Sequence, residues 1–222
     1  MLQADLQSIF EQGIIAIIRG VKPEYIVSTV QALYAGGIRA VEVTYDQSSE
    51  QSINDSLASM RLIHENFKDK VIMGAGTVIT VQQVISAKEC GAKYIISPNT
   101  DVEVIRATKE VGCLSFPGAL TPSEIVTAYH AGADAIKLFP AGTMGTGYVK
   151  AIMGPLGYIP YLAVGGITLD NMKDFIDIGV KGFGIGGALV SVKEIEAGNF
   201  SAITELAGRY VGNWNKFKNK AV

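Results

Sequence analysis

Eight short runs rich in Val, Ile and Leu recur along this chain of 222 residues, at 13–19, 38–45, 70–76, 92–98, 112–118, 133–141, 159–166 and 181–187. Most are continuously apolar rather than alternating, as strands covered on both faces must be, and parallel sheets are covered in this way. Between them lie segments with helical spacing, among them PEYIVSTVQALYAGG, TVQQVISAKECGA, DVEVIRATKEVGC, TPSEIVTAYHAGA and TLDNMKDFIDIGV. Several close on glycine just before the next strand, at Gly36/Gly37, Gly91, Gly112, Gly132 and Gly179, where a helix C′ residue takes positive φ. Others open on capping signals: Thr80, Thr121 with Pro122 and Glu124, and Thr168 with Asp170. Eight serial strand-helix units predict a single (β/α)8 TIM barrel over 1–222, its opening dozen residues forming a helix across one barrel end. A doubly wound open sheet would use fewer strands and a GxGxxG opening, which is absent after the first run.

Composition excludes several function classes. Hydrophobic residues make up 48% of the chain, enough for a core, so disorder is excluded as its main state. Nineteen basic against 21 acidic residues leave a net charge of −2, with no cluster suited to nucleic acid or an anionic bilayer. The basic end, Lys216, Lys218 and Lys220, reads as a solvated last helical turn. Cys90 and Cys113 carry no CxxC or Cys/His spacing, which fits a reducing compartment. Acidic Asp5 and Glu11 argue against a secretory leader, and no apolar run approaches membrane-span length, so a cytoplasmic location is expected. His64 and His130 fall in helical segments, so no metal is expected, and GxSxG is missing.

In such a barrel, chemistry sits where strands end at their C-terminal side. The residues there are Arg19, Glu42 with Thr44, Thr77, Ser97 with Asn99, Ser115, Lys137, and the pairs Gly165/Gly166 and Gly186/Gly187. Lys137 stands inside ADAIKLFPA, and an amine buried among such neighbours loses affinity for its proton and becomes able to attack a carbonyl. The bland alternative is an ion-paired core lysine, or one whose head reaches water. Glu42, between Val41 and Val43, points opposite to both and needs a cationic partner, either Lys137 or Arg19. A nucleophilic amine beside a proton-carrying carboxylate suits imine formation and carbon–carbon cleavage, whereas a Glu/Arg pair would be structural. Arg19 could fork onto a substrate carboxylate or neutralise Glu42. The two glycine pairs follow the seventh and eighth runs, where barrels often bind phosphate through backbone N–H groups; tight turning is the alternative.

The segments RG at 19–20, VEVT at 41–44, GAGTV at 74–78, ISPN at 96–99, PG at 117–118, KLFPA at 137–141 and VGGI at 164–167 together resemble the 2-keto-3-deoxy-6-phosphogluconate (KDPG) and 4-hydroxy-2-oxoglutarate (KHG) aldolase family over nearly the whole chain. The resemblance implies a class I aldolase without cofactor, commonly a homotrimer, with pyruvate and a phosphorylated keto sugar acid as its small-molecule partners. It implies that Lys137 forms the Schiff base and that Glu42 carries protons through water. It implies further that Thr77, Pro98 and Phe139 line the pyruvyl pocket, and that Gly165/Gly166 and Gly186/Gly187 form the phosphate end. Cleavage of the gluconate-derived acid to pyruvate and glyceraldehyde 3-phosphate is the first expectation, and of 4-hydroxy-2-oxoglutarate to pyruvate and glyoxylate a further one. Two departures point elsewhere. Many phosphogluconate aldolases carry arginine two residues after EVT, where this chain has Asp46, and Arg19 in AIIRG resembles the arginine of 2-keto-3-deoxy-6-phosphogalactonate aldolases. Ala188 stands where family members often carry serine. The rival readings are a phosphosugar isomerase or epimerase on the same barrel and a non-catalytic sugar-phosphate-binding barrel.

Overall fold

The computed structural model describes residues 2–218. In chain order the elements are α1 (Leu2–Gln12), β1 (Ile14–Ile18), α2 (Pro23–Ala35), β2 (Ala40–Thr44), α3 (Glu50–Phe67), β3 (Ile72–Gly76), α4 (Val81–Glu89), β4 (Tyr94–Ile96), α5 (Val102–Glu110), β5 (Leu114–Phe116), β6 (Gly118–Ala119), α6 (Pro122–His130), β7 (Ile136–Leu138), α7 (Ala141–Leu156), β8 (Tyr161–Val164), α8 (Met172–Asp177), β9 (Gly182–Ile185), α9 (Val192–Glu196) and α10 (Phe200–Phe217). Every pairing is parallel, in the order β5-β4-β3-β2-β1-β9-β8-β7-β6.

Nine strand segments stand where eight runs were expected, and the extra one comes from the fifth run. Pro117 separates β5 from β6; it has no N–H for a ladder and it changes the strand's course. The first half pairs with β4 and the second with β7, so the two ends of the sheet are joined by one residue of chain and the barrel closes through a covalent corner.

Inward and outward positions separate by strand parity. Ile15 and Ile17, Ala40, Tyr94 and Ile96, Leu114 and Phe116, and Leu162 and Val164 fill the barrel interior. Val41 and Val43, Ile136 and Leu138, and Phe183 and Ile185 pack outward beneath the helices. Tyr94 occupies much of the lumen: its hydroxyl donates to the Val41 carbonyl at 2.6 Å, and a Cβ on Gly74 would lie 2.2 Å from its ring. Leu2, Leu6, Ile9 and Phe10 of α1 pack onto this plug and close the N-terminal end, which leaves the opposite mouth for chemistry.

The capping signals hold at Thr80, whose side chain accepts from the Gln83 N–H, and at Thr121, which forms a reciprocal box with Glu124. The signal at Thr168 and Asp170 fails: α8 begins at Met172, and Asn171 uses its side chain to accept from the Thr168 N–H and donate to the Gly166 carbonyl. Lys218 donates to the Glu11 carbonyl at 3.0 Å, so that part of the basic end braces α1 rather than standing free, and Lys220 lies outside the described residues.

Candidate active site

Parity places the Glu42 and Lys137 side chains inside the barrel, since their neighbours Val41, Val43, Ile136 and Leu138 all belong to the outer layer. Both are buried, Lys137 5% exposed and Glu42 1%. Above them opens a cavity of about 390 Å³ lined by Ile17, Arg19, Thr77, Pro98, Lys137, Phe139, Val164, Gly165, Gly166, Ile167, Thr168, Gly184, Gly186, Gly187 and Ala188. Arg19, Thr77, Pro98, Lys137, Phe139 and both glycine pairs line it as expected, whereas Glu42 is buried and is not part of the lining.

Glu42 is the electrostatic anomaly of the molecule. Neither carboxyl oxygen has a hydrogen-bond partner, and among the described residues Glu42 enters no ion pair with Arg19 or Lys137. A structural Glu/Arg pair is therefore not what holds it. Two buried acceptors left unpaired by the protein have to be met by solvent or substrate. Burial pushes the carboxyl's proton affinity up, and the positive charges of Lys137 and Arg19 oppose that shift without cancelling it. Burial pushes the Lys137 amine down, opposed by Glu42 and assisted by Arg19. Each group is thus driven toward its neutral form, an amine with a free lone pair and an acid with a proton to give. The Lys137 ammonium position lies 5.0 Å from the centre of the Phe139 ring, which walls one side of the cavity.

The space for Glu42 is made by Gly76, where a Cβ would fall 1.7 Å from Oε1. Next to it, Thr77 has φ +57°, the only left-handed residue other than glycine among those described. Such a conformation costs a β-branched residue on the order of 1–3 kcal/mol and persists only where surrounding contacts enforce it. Arg19 is exposed at the rim. Gly165 and Gly166, at φ +84° and +73°, need glycine for their backbone, whereas Gly186 and Gly187 have no left-handed φ and Gly187 has no atom within 4 Å of an added Cβ.

Not every strand-end residue converges. Thr44, Ser97, Asn99 and Ser115 do not line the cavity. Ser115 faces outward between Leu114 and Phe116, its N–H held by Asp134. Thr44 and Asp46 face a separate polar recess of about 110 Å³ between α2 and α3. Thr168, read from sequence as a helix cap, is instead a wall of the cavity. Its place just after the Gly165/Gly166 pair was the available signal.

A model of the KDPG and KHG aldolases matches residues 6–206. The chain belongs to that family. Among its relatives, 2-dehydro-3-deoxy-6-phosphogalactonate aldolase of Escherichia coli K12 is 38% identical over 79% of this chain and 83% of its own. The KHG/KDPG aldolase of the same organism is 33% identical over 90% and 92%. The crystal structure of KDPG aldolase from Legionella pneumophila, with pyruvate captured as a covalent carbinolamine, superposes with a TM-score of 0.82 at 29% identity, covering 91% of this chain and 96% of that one. The protein is a class I aldolase of the KDPG/KHG type on a TIM barrel. No described helix is long and apolar enough to cross a membrane.

Proposed function

We propose that this aldolase cleaves a 2-keto-3-deoxy-6-phospho sugar acid to pyruvate and glyceraldehyde 3-phosphate, with Lys137 as nucleophile and Glu42 as proton carrier. The observation that carries the roles is the buried amine at the cavity floor, drawn toward neutrality, with an orphaned buried carboxyl close enough to act on its charge. The Lys137 lone pair adds to the C2 ketone, giving a carbinolamine. Glu42, as the acid, supplies through water the proton with which the C2 hydroxyl leaves, forming the cationic imine. The carboxylate so produced removes the proton of the C4 hydroxyl. The C3–C4 bond breaks, its electron pair passes into the imine to give an enamine, and the aldehyde departs. Protonation at C3 and hydrolysis return pyruvate and the free amine. Arg19 and the Thr77 hydroxyl hold the keto acid's carboxylate. The backbone at Gly165/Gly166 and Gly186/Gly187 receives the phosphate, which accounts for a glycine at 187 where neither φ nor packing asks for one.

The galactonate-derived acid is favoured over the gluconate-derived one expected first. Arg19 lines the cavity, Asp46 faces a different recess, and the identity to the phosphogalactonate aldolase exceeds that to the KHG/KDPG aldolase. We extend the proposal to a homotrimer, supported by exposed apolar Ile79, Val81 and Ile85 and the edge-to-face pair Tyr129–Tyr158, which offer surface for self-association. Light scattering should then give three times the chain mass.

Pyruvate plus borohydride is expected to fix one adduct on Lys137, located by peptide mass spectrometry; no adduct under conditions that trap a control aldolase refutes the nucleophile. Comparing turnover of the gluconate and galactonate substrates, with and without phosphate, assigns the sugar. Appreciable activity in Lys137→Arg would favour an isomerase instead.

A further inference from the structure

Thr77 is strained, and its strain has to be held by something. It is half-buried at the cavity wall. Two glutamine side chains that do not line the cavity bond the backbone on the C-terminal side of Thr77. Gln47, in the loop after β2, donates from Nε2 to the Thr77 carbonyl at 2.9 Å. Its Oε1 accepts from Nε2 of Gln83 on α4, also at 2.9 Å. Gln83 Oε1 in turn accepts from the Ile79 N–H at 2.9 Å. The two amides thus bridge the peptide groups on either side of Val78, whose own N–H is tied to the Ile96 carbonyl at 3.2 Å and whose side chain is wholly buried.

The orientation of both amides is forced. A carbonyl at Thr77 demands a donor and an N–H at Ile79 demands an acceptor, so only one head-to-tail arrangement satisfies the chain. Gln83 is itself anchored: its backbone N–H caps onto Thr80 and its carbonyl accepts from the Tyr45 hydroxyl. Gln47 is exposed, so no packing demand explains an amide there.

We infer that Gln47 and Gln83 are positioning residues that hold Thr77 left-handed, aiming its side chain at the keto acid's carboxylate end. This rests on the Schiff-base aldolase reading. Gln47→Glu replaces the donor with a carboxylate facing the Thr77 carbonyl, whereas in Gln83→Glu the side chain still accepts from Ile79 but no longer donates to Gln47. Gln47→Glu is therefore the harsher change, although it falls at the surface.

The test titrates pyruvate against borohydride-trapped Lys137 adduct in the full chain and in Gln47→Glu, Gln83→Glu, Thr77→Gly and Thr77→Gly/Gln47→Glu. Loss of one aimed hydrogen bond should raise half-saturating pyruvate about tenfold in Gln47→Glu and less in Gln83→Glu. The melting point of Gln47→Glu should stay within about 2 °C, as for other exposed substitutions. Because the clamp acts through Thr77, adding Gln47→Glu to Thr77→Gly should change half-saturation less than about twofold. An unchanged titration in Gln47→Glu, or the same factor in both backgrounds, overturns the inference while leaving the aldolase reading intact. No adduct in the unsubstituted chain removes the aldolase reading itself, and the clamp with it. Should Thr77→Gly trap too little to titrate, amide exchange decides: faster exchange at 78 and 79 in Gln47→Glu supports the clamp, and unchanged exchange overturns it.

Discussion

Gly76→Ala tests the proton-carrying role proposed for Glu42 by displacing its carboxyl rather than replacing it. Gly76 lies at the end of β3 with no left-handed φ, so alanine fits its backbone. The new methyl would stand 1.7 Å from Glu42 Oε1 and 2.4 Å from Cδ, against the 3.4 Å at which ordinary contact begins. The carboxyl must therefore retreat by about 1.7 Å, and misplacing a reacting group by about 1 Å costs roughly 100-fold. We expect kcat to fall by at least about 100-fold, or about 2.7 kcal/mol of barrier. Overpacking should cost about 1–3 kcal/mol of stability, partly offset by the lower backbone entropy of an unfolded alanine. The assay follows pyruvate release from both phosphorylated sugar acids, alongside a melting curve. The amine is untouched, so borohydride trapping on Lys137 should persist at a slower rate. Gly76→Ala/Glu42→Asp withdraws the carboxyl by one methylene and should recover part of the loss. A folded Gly76→Ala protein turning over within about threefold of the parent would show that Glu42's position is not what the reaction uses.

Arg19→Ala removes an exposed cavity-wall guanidinium. Half-saturating pyruvate should rise about 10- to 100-fold, the worth of a charge-assisted hydrogen bond, with the melting point unchanged. Glu42→Gln should stabilise the protein at pH 8 while abolishing turnover. The folded carboxyl holds its proton more tightly than the ordinary value of 4.5, so as pH rises past that value the unfolded chain ionises first and stability falls. The gain in melting point should therefore shrink as pH approaches 4.5, and a gain independent of pH would contradict the burial cause. Gly187→Ala meets open space at an ordinary φ and should fold normally. If phosphate approaches the backbone there, KM for the phosphorylated acid should rise about tenfold with the unphosphorylated acid unaffected. Equal effects on both would move the phosphate elsewhere.

Much of the site was legible because strand parity is a local property. Val-Glu-Val and Ile-Lys-Leu each announce an inward charge, whatever the rest of the chain does, and the cavity-lining positions of Arg19 and Lys137 follow from where their strands stop. Glycine closing a helix is equally local, and Gly37, Gly91, Gly112, Gly132 and Gly179 all take positive φ. The misread positions depend on what lies across space. Thr168 looks like a cap until Asn171 performs that bonding, and Ser115 looks like a strand-end ligand until its strand turns it outward to Asp134.

Alternation of buried strand and capped helix, and the side of each strand on which a charge sits, were determined by the sequence alone, since both are set by neighbours one to four residues apart. The tertiary structure decided the rest: the corner at Pro117 that closes the sheet, the hollow over Gly76 that receives a carboxyl from the adjacent strand, and the amide bridge from Gln47 and Gln83 to Thr77. Apart from the Gln83 bond to Ile79, four residues away, those contacts join residues tens of positions apart. Their partners are chosen by the register and curvature of the closed barrel, which no local pattern carries.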